Sequence, residues 1–236
     1  MGTVIQFDDE SHGMGLPGSY INVTHTLSVG SGNDRIVFVY AVITHSSAMS
    51  GDKLTPPTYN GVAMNQIGTE YNYGEIQAGL WYLLDADLPA SAGDYTVRFN
   101  SSGTHYGPGG IVAGFYDVAQ EVPEAIENVG SSSSGSSISD VITTLTNYAY
   151  IVSFASVGTG TGTWTHGTDQ VEISDWGNSY GSHTATYEEK ASAGSDTQSH
   201  TATVSSQRTM FSVSIAPNVV PSARTNIQSV MMGANF

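Results

Sequence analysis

Alternating polar and apolar residues run through most of the chain and predict strands. Along residues 20–29 the even positions are polar and the odd positions mostly apolar, as in a strand with one buried face. Residues 35–43 are almost continuously apolar, so we expect a central strand covered on both sides. Val, Ile, Thr, Tyr and Phe between Gly, Pro, Asn or Ser mark further strands. The predicted strands are residues 20–29, 35–44, 77–84, 95–100, 110–118, 139–145, 149–157, 170–174, 183–188, 198–205 and 209–215.

Helix signals are few, and one low-complexity segment divides the chain. Only residues 120–128 and 225–232 could form a helical turn or two, and Pro123 limits the first. Residues 130–137 (GSSSSGSS) have the composition of a flexible connector. We therefore expect these parts: an N-terminal arm 1–15, a first β half 16–120, a Ser/Gly-rich connector 121–137, a second β half 138–217 and a C-terminal tail 218–236.

Several segments of the first half recur in the second. NDRIVFVYAVIT at 33–44 is echoed by NYAYIVSFASVG at 147–158, and the SAG run at 91–102 is echoed at 192–206. Strands at such regular spacing are typical of a β-sandwich. The predicted fold class is therefore all-β, an antiparallel β-sandwich (jelly-roll or Ig-like) built from two repeated halves, with very little helix.

The amino-acid composition argues against several classes of binding partner. Only 11% of the 236 residues are charged, against about 25% in typical soluble proteins, and the net charge is −15. Six scattered Lys and Arg residues make nucleic acid and anionic membranes poor partners, because both need clustered positive charge. The absence of Cys excludes disulfides and thiolate metal sites. The first residues lack the basic and apolar regions of a secretory signal.

A turn and strand pattern in the first half resembles a known module. Residues 59–64 (YNGVAM) form a Tyr-Asn-Gly turn-strand, and residues 80–83 read LWYL. With the strands around them, over residues 20–216, the chain resembles a β-rich module found in phage virion proteins and bacterial surface proteins. The resemblance implies a sandwich used for display, adhesion or shell building, and it brings no catalytic motif.

Residues that could form a catalytic or metal site are more simply explained by structural roles. Residues 177–181 match G-x-S-x-G, and Asp196 and His200 follow in hydrolase order, but this motif needs a strand before it and a helix after it. We interpret it as a turn. Asp85 and Asp87, two apart at a strand end, are weak Ca²⁺ candidates, with solvated carboxylates as the alternative. The seven histidines show no metal-pair spacing. His25, on an apolar face, is predicted to be a hydrogen-bonded core residue, and no cofactor is expected.

Aromatic residues near turns are the better candidates for binding. The contact candidates are Tyr71, Tyr73, Trp164, Trp176 and Tyr180. Tyr and Trp beside Asn, Ser and Gly form adaptable contact surfaces, and aromatic rings also stack on sugars. The alternative is that these rings pack over the ends of the sandwich. Both interpretations stay open at this stage.

These observations favour a non-enzymatic structural virion protein. The most concrete form is a phage capsid decoration or cement protein, assembled in the host cytoplasm, whose partners are other virion subunits and copies of itself. The alternative is a glycan-binding module of a tail fibre or surface adhesin, located outside the cell. An enzyme such as a glycosidase or esterase would need a concave site with a perturbed carboxylate or a Ser-His pair.

Overall fold

The structure is a computed structural model, and it describes residues 4–15, 18–44, 54–123, 125–158 and 160–218. Its strands pair in antiparallel fashion. A 3₁₀ turn, Asp85–Asp87, follows the seventh strand. The strands are β1 Gln6–Met14, β2 Gly18–Leu27, β3 Ile36–Thr44, β4 Leu54–Tyr59, β5 Val62–Ala63, β6 Asn65–Tyr73, β7 Ile76–Leu84, β8 Gly93–Tyr116, β9 Ala125–Thr144, β10 Ala149–Val157, β11 Trp164–His166, β12 Val171–Asn178, β13 Gly181–Lys190 and β14 Gly194–Ile215.

The antiparallel all-β sandwich predicted from the sequence is confirmed. Each predicted strand falls largely or wholly on an observed strand, but residues 95–100 and 110–118 belong to the single strand β8. Residues 198–205 and 209–215 likewise belong to β14. No helix in the described part of the chain is long and apolar enough to cross a membrane.

Four local expectations are corrected or fall outside the described residues. Residues 130–137 lie inside β9 and pair with β14, so the structure gives this Ser/Gly-rich segment a strand rather than a flexible connector. Most of the expected N-terminal arm is β1, which pairs with β8. The described residues of 120–128 form no helical turn, since residues 120–122 lie in a bend and β9 begins at Ala125. The second candidate helix, 225–232, lies outside the described residues.

The first half of the chain forms two layers joined by β8. Residues 93–101 of β8 pair with β2 and β4, and residues 106–116 pair with β1 and β3. We call β2, this first part of β8, β4 and β5 the first outer sheet. The first inner sheet is β1, the second part of β8, β3, β7 and β6. Their shared core includes Val39, Trp81, Val97 and Phe99.

The close pairing of β8 with β3 requires glycine at residue 110. Gly110 has φ of +151°, and a Cβ atom there would lie 1.8 Å from the Tyr40 carbonyl oxygen of β3. A side chain at this position would therefore push β3 and β8 apart.

The second half forms a second pair of layers around β14. Residues 194–201 of β14 pair with the last part of β9, and residues 200–202 pair with β11. These strands form the second outer sheet. Residues 208–215 of β14 pair with β10, and β13 and β12 extend the second inner sheet.

The two inner sheets pack against each other through the largest core of the protein. Phe38 and Tyr40 of β3 meet Phe154 of β10, with ring centroids 6.3 Å and 5.6 Å apart. The whole of β3 and the whole of β10 are buried. Each is a central strand with a layer on both faces, as the apolar run at 35–43 predicts. The order of layers is thus outer, inner, inner, outer.

Candidate functional site

The interior of the second half is polar where that of the first half is apolar. Val97 and Phe99 come four and six residues after Gly93 and pack in the first core. Gln198 and His200 come four and six residues after Gly194, and both are fully buried. Buried polar side chains are costly unless they are hydrogen-bonded, so their partners define this site.

A hydrogen-bonded chain links a buried serine to a surface carboxylate through two histidines. Ser153 Oγ lies 3.1 Å from Ser212 Oγ and 3.0 Å from His200 Nε2. The Nδ1 atoms of His200 and His166 are 3.1 Å apart. His166 Nε2 is 3.2 Å from Glu172 Oε2, and the Glu172 side chain is 52% exposed. The chain therefore runs from between the sheets to solvent.

One placement of protons satisfies every atom of this chain. Ser212 donates to Ser153, and Ser153 donates to His200 Nε2. His200 Nδ1–H then donates to His166 Nδ1, and His166 Nε2–H donates to the carboxylate of Glu172. Both imidazoles are neutral in this placement, and each hydrogen bond fixes the tautomer of the next ring.

The arrangement resembles a nucleophile with its base, but its environment is that of a core. Burial, and to a lesser extent the nearby His166 ring, lower the pKa of His200 to about 3. Ser153 is fully buried between β13 and β14 on the central strand β10. A nucleophile must reach its substrate. Since Ser153 is buried in this conformation, the hydrogen-bonded chain serves to hold the second core together.

A second polar group lies beside the first. Glu188 Oε2 accepts a hydrogen bond of 2.9 Å from Gln198, and Glu188 Oε1 lies 3.1 Å from Lys190 Nζ. Lys190 also pairs with Asp196. Burial and a hydrogen bond with Asp196 raise the pKa of Glu188. Burial alone would raise the pKa of Asp196, but hydrogen bonds from Lys190, Glu188 and the Thr197 N–H lower it. Glu188 and Asp196 thus share one cation, Lys190.

A third buried histidine lies between the inner sheets. His183 Nδ1 is 2.7 Å from Ser156 Oγ, and its ring centroid is 4.9 Å from that of Trp176. His12 of β1 also stacks on Trp176, with ring centroids 5.0 Å apart. Burial, with a smaller contribution from His12, lowers the pKa of His183 to about 3. His183 is therefore neutral in the folded protein at physiological pH.

Replacing Ser153 with Ala tests whether the hydrogen-bonded chain is structural. The substitution leaves His200 Nε2 buried without its partner, so we expect a loss of about 1–3 kcal/mol in the free energy of unfolding. Ser139→Ala, on an exposed position of β9, is the matched control and should change it by less than about 0.5 kcal/mol. Denaturant unfolding measures both. Equally small effects of Ser153→Ala and Ser139→Ala would show that the hydrogen-bonded chain contributes nothing to stability.

The aromatic contact candidates mostly pack inside. Tyr71 and Trp176 are partly buried against the core between the inner sheets. Trp164 is buried, and its Nε1–H donates to Ser182 Oγ at 2.9 Å. Tyr180 lies in a turn and is half-buried, and Tyr73 ends β6 with a side chain outside the described part of the structure. The structure thus gives packing contacts to Tyr71, Trp164 and Trp176.

The G-x-S-x-G string is a hairpin turn. Asn178 pairs with Gly181 across the turn residues Ser179 and Tyr180, and strand β13, not a helix, follows. His200, the histidine that follows in hydrolase order, bonds to Ser153 instead of Ser179. This agrees with the interpretation of the string as a turn.

The weak calcium candidates lie in a 3₁₀ turn rather than on a strand end. Asp85 pairs with the buried Arg35 and accepts a 2.7 Å hydrogen bond from the Gly32 N–H. Asp87 is exposed. Among the described residues, no three His, Cys, Asp or Glu side chains are arranged to hold a metal ion. His25 bonds to the hydroxyl of Tyr59 at 3.0 Å, as expected of a core histidine.

The sequence did not point to three members of the hydrogen-bonded chain, Ser153, His166 and Ser212. A usable signal was present, because Ser153 and Ser212 each interrupt a short apolar run, IVSF at 151–154 and MFSV at 210–213, at a buried position. Their pairing across β10 and β14 was not visible in the sequence.

Comparison with known proteins gives no family. No protein-family model matches the chain, and no characterised protein matches it significantly.

Proposed function

We propose that the protein is a non-enzymatic structural component of a virion, most specifically a capsid decoration or cement protein that acts through contacts between subunits. The observation that carries the proposal is that the reactive side chains point into the core. Ser153, His183 and His200 are fully buried and bonded to internal partners. Reactive side chains that are buried and hydrogen-bonded in the core support a structural role. In such a role the outward surfaces of the protein contact its neighbours.

The layer order supports this role. Two central strands, β3 and β10, are each covered on both faces, which makes the middle of the molecule rigid. The outer sheets lie at opposite sides of the stack, so the molecule presents a polar sheet in two directions. Because only 11% of the residues are charged, hydroxyl and amide groups make up much of the polar surface. A rigid spacer with two outward sheets suits a protein that bridges neighbours.

An apolar patch at one end of the molecule is the subunit contact we propose. A groove of about 350 Å³ lies there between the start of the β8–β9 connection and residues 215–218, with Val122 and Thr146 in its lining. The turn that carries Thr146 also carries Leu145 and Tyr148, which are 66% and 55% exposed, and Val122 is 64% exposed. Exposed apolar groups gathered beside a groove mark interaction surfaces.

The contact is tested with particles from cells that produce the protein. We expect the wild type to co-sediment with the particles in a density gradient and Leu145→Ser/Tyr148→Ser to shift largely to the free fraction. Tyr20→Ser/Val62→Ser, which removes exposed apolar groups from the first outer sheet, is the matched control and should stay bound. A wild-type protein that remains a free monomer in every gradient would contradict the proposed function.

A further inference from the structure

The outward side of the second outer sheet is a regular array of hydroxyl groups. In this array Ser195 lies opposite Thr143 and Thr201 lies opposite Ser137. Thr165 of β11 extends it on the other side of Thr201. We call this surface the hydroxyl face, and its exposed members on β9 and β14 are Ser137, Ser139, Thr143, Ser195, Thr197 and Thr201.

The strand geometry arranges these hydroxyls on a grid. Neighbouring strands are about 4.8 Å apart, and alternate residues along one antiparallel strand are about 6.8 Å apart. The array is therefore two-dimensional and extends over three strands. Groups on backbone-fixed positions need little ordering when a partner binds.

The hydroxyls keep bonding capacity toward solvent. Thr143 Oγ1 and Ser195 Oγ are 2.8 Å apart, and Ser137 Oγ and Thr201 Oγ1 are 3.0 Å apart. Each pair uses one O–H between its two oxygens, so the second O–H of the pair is left to donate outward. The oxygens also keep lone pairs that accept. The face therefore offers both hydrogen-bond donors and acceptors to solvent.

The face is uncharged in a protein of net charge −15. The residues that alternate outward on β9, β14 and β11, within 137–143, 195–205 and 164–166, are all uncharged. The two acidic residues in these ranges, Asp140 and Asp196, alternate to the inward side, opposite the buried Gln198 and Ile142. Arg208 borders it, donating from Nε to the Ser137 carbonyl. In the first outer sheet, by contrast, the exposed Asp94 and Arg98 share the outward surface. Neutrality is thus a property of this face and not of outer sheets in general.

We propose that the hydroxyl face is a binding surface for a neutral polysaccharide. Such a chain presents hydroxyls and ring oxygens that both donate and accept, which matches the face in chemistry and in charge. A second copy of this protein is a poorer occupant, because Val141 is the large exposed apolar residue of the face, and little apolar area would be buried. The inference does not rest on the proposed function, since free and particle-bound protein present the same face.

The test uses the purified full chain and three insoluble neutral polysaccharides: cellulose, chitin and granular starch. We expect the wild type to be retained by at least one of them in a pull-down and to be released by soluble fragments of the same polysaccharide. Retention by none of the three would overturn the proposal. Slowed growth of ice crystals without retention would also overturn it, because the partner would then be ordered water.

Matched substitutions on equivalent strand positions locate the surface. Thr197 and Thr96 each come three residues after a glycine, Gly194 or Gly93, and both are exposed. Thr197→Glu places a charge in the hydroxyl face and should weaken binding by about tenfold or more, equal to about 1.4 kcal/mol. Thr96→Glu should leave binding within about twofold. Equal losses from both variants, with unchanged thermal unfolding, would show that binding does not use this face.

The hydroxyl itself is tested by Thr143→Val/Thr201→Val. Val keeps the β-branched shape and strand preference of Thr and removes only the hydroxyl. We expect the double variant to melt at the wild-type temperature and to lose polysaccharide binding as Thr197→Glu does. Full binding by a folded double variant would contradict a role for these hydroxyls.

Discussion

Replacing Phe154 with Ala will destabilise both halves of the protein together, by about 3–5 kcal/mol. The Phe154 ring is fully buried on β10, in the second half. Its neighbours Phe38 and Tyr40 belong to β3, in the first half. Removing the ring opens a cavity at the junction of the inner sheets, so the loss reaches both pairs of layers.

Tryptophan fluorescence can follow the first half alone. The chain has three Trp residues, and in a Trp164→Phe/Trp176→Phe background only Trp81 of β7 reports. In that background Phe154→Ala should shift the Trp81 unfolding transition as far as it shifts the circular dichroism transition. Phe99→Ala, in the core of the first half, is the control for a purely local loss. If Phe154→Ala leaves the unfolding transition of Trp81 unchanged, the two halves fold independently.

Lowering the pH from 7 to 5 will destabilise the protein through His183 and His200. Burial lowers the pKa of each to about 3, against about 6.5 in the unfolded chain. Between these values the unfolded state binds more protons, so stability is present above pH 6.5 and is lost as the pH falls. Each histidine contributes a slope of up to about 1.4 kcal/mol per pH unit, or about 2 kcal/mol over this range.

Other groups change the total slope but not the difference between variants. Burial also lowers the pKa of His25, which adds to the loss. Burial raises the pKa values of Asp175 and Glu188, and these carboxyls act in the opposite sense as the pH falls. His200→Gln and His183→Gln should each remove about one proton from the uptake on unfolding at pH 5. Urea unfolding at several pH values measures the uptake, and an unchanged slope in both variants would contradict neutral buried histidines.

The sequence predicted the strands well because the strand signal is local. The alternation along residues 20–29 depends only on one face being buried, and it placed His25 inside correctly. The apolar run at 35–43 likewise predicted a strand with two covered faces. These patterns needed no knowledge of neighbouring strands.

The long strands and the connector were not predictable in the same way. Gly and Ser usually interrupt strands, so the sequence predicts two separate strands on either side of residues 101–109 and a flexible connector at 130–137. Here they stay extended because strands with distant sequence positions supply hydrogen-bond partners, such as β14 for β9. The polar interior depends on the same pairing, since His200 and Ser153 are 47 positions apart. The origin of the two halves by duplication stays a prediction.

The most direct test of the proposed function is a cryo-electron microscopy map of particles from cells that produce the protein. We expect density for this four-layer sandwich at regular positions on the outside of the capsid, with the Leu145 and Tyr148 end against a neighbouring subunit and the hydroxyl face turned outward. Particles that lack this density while the protein is recovered only as a free monomer would contradict the proposed function.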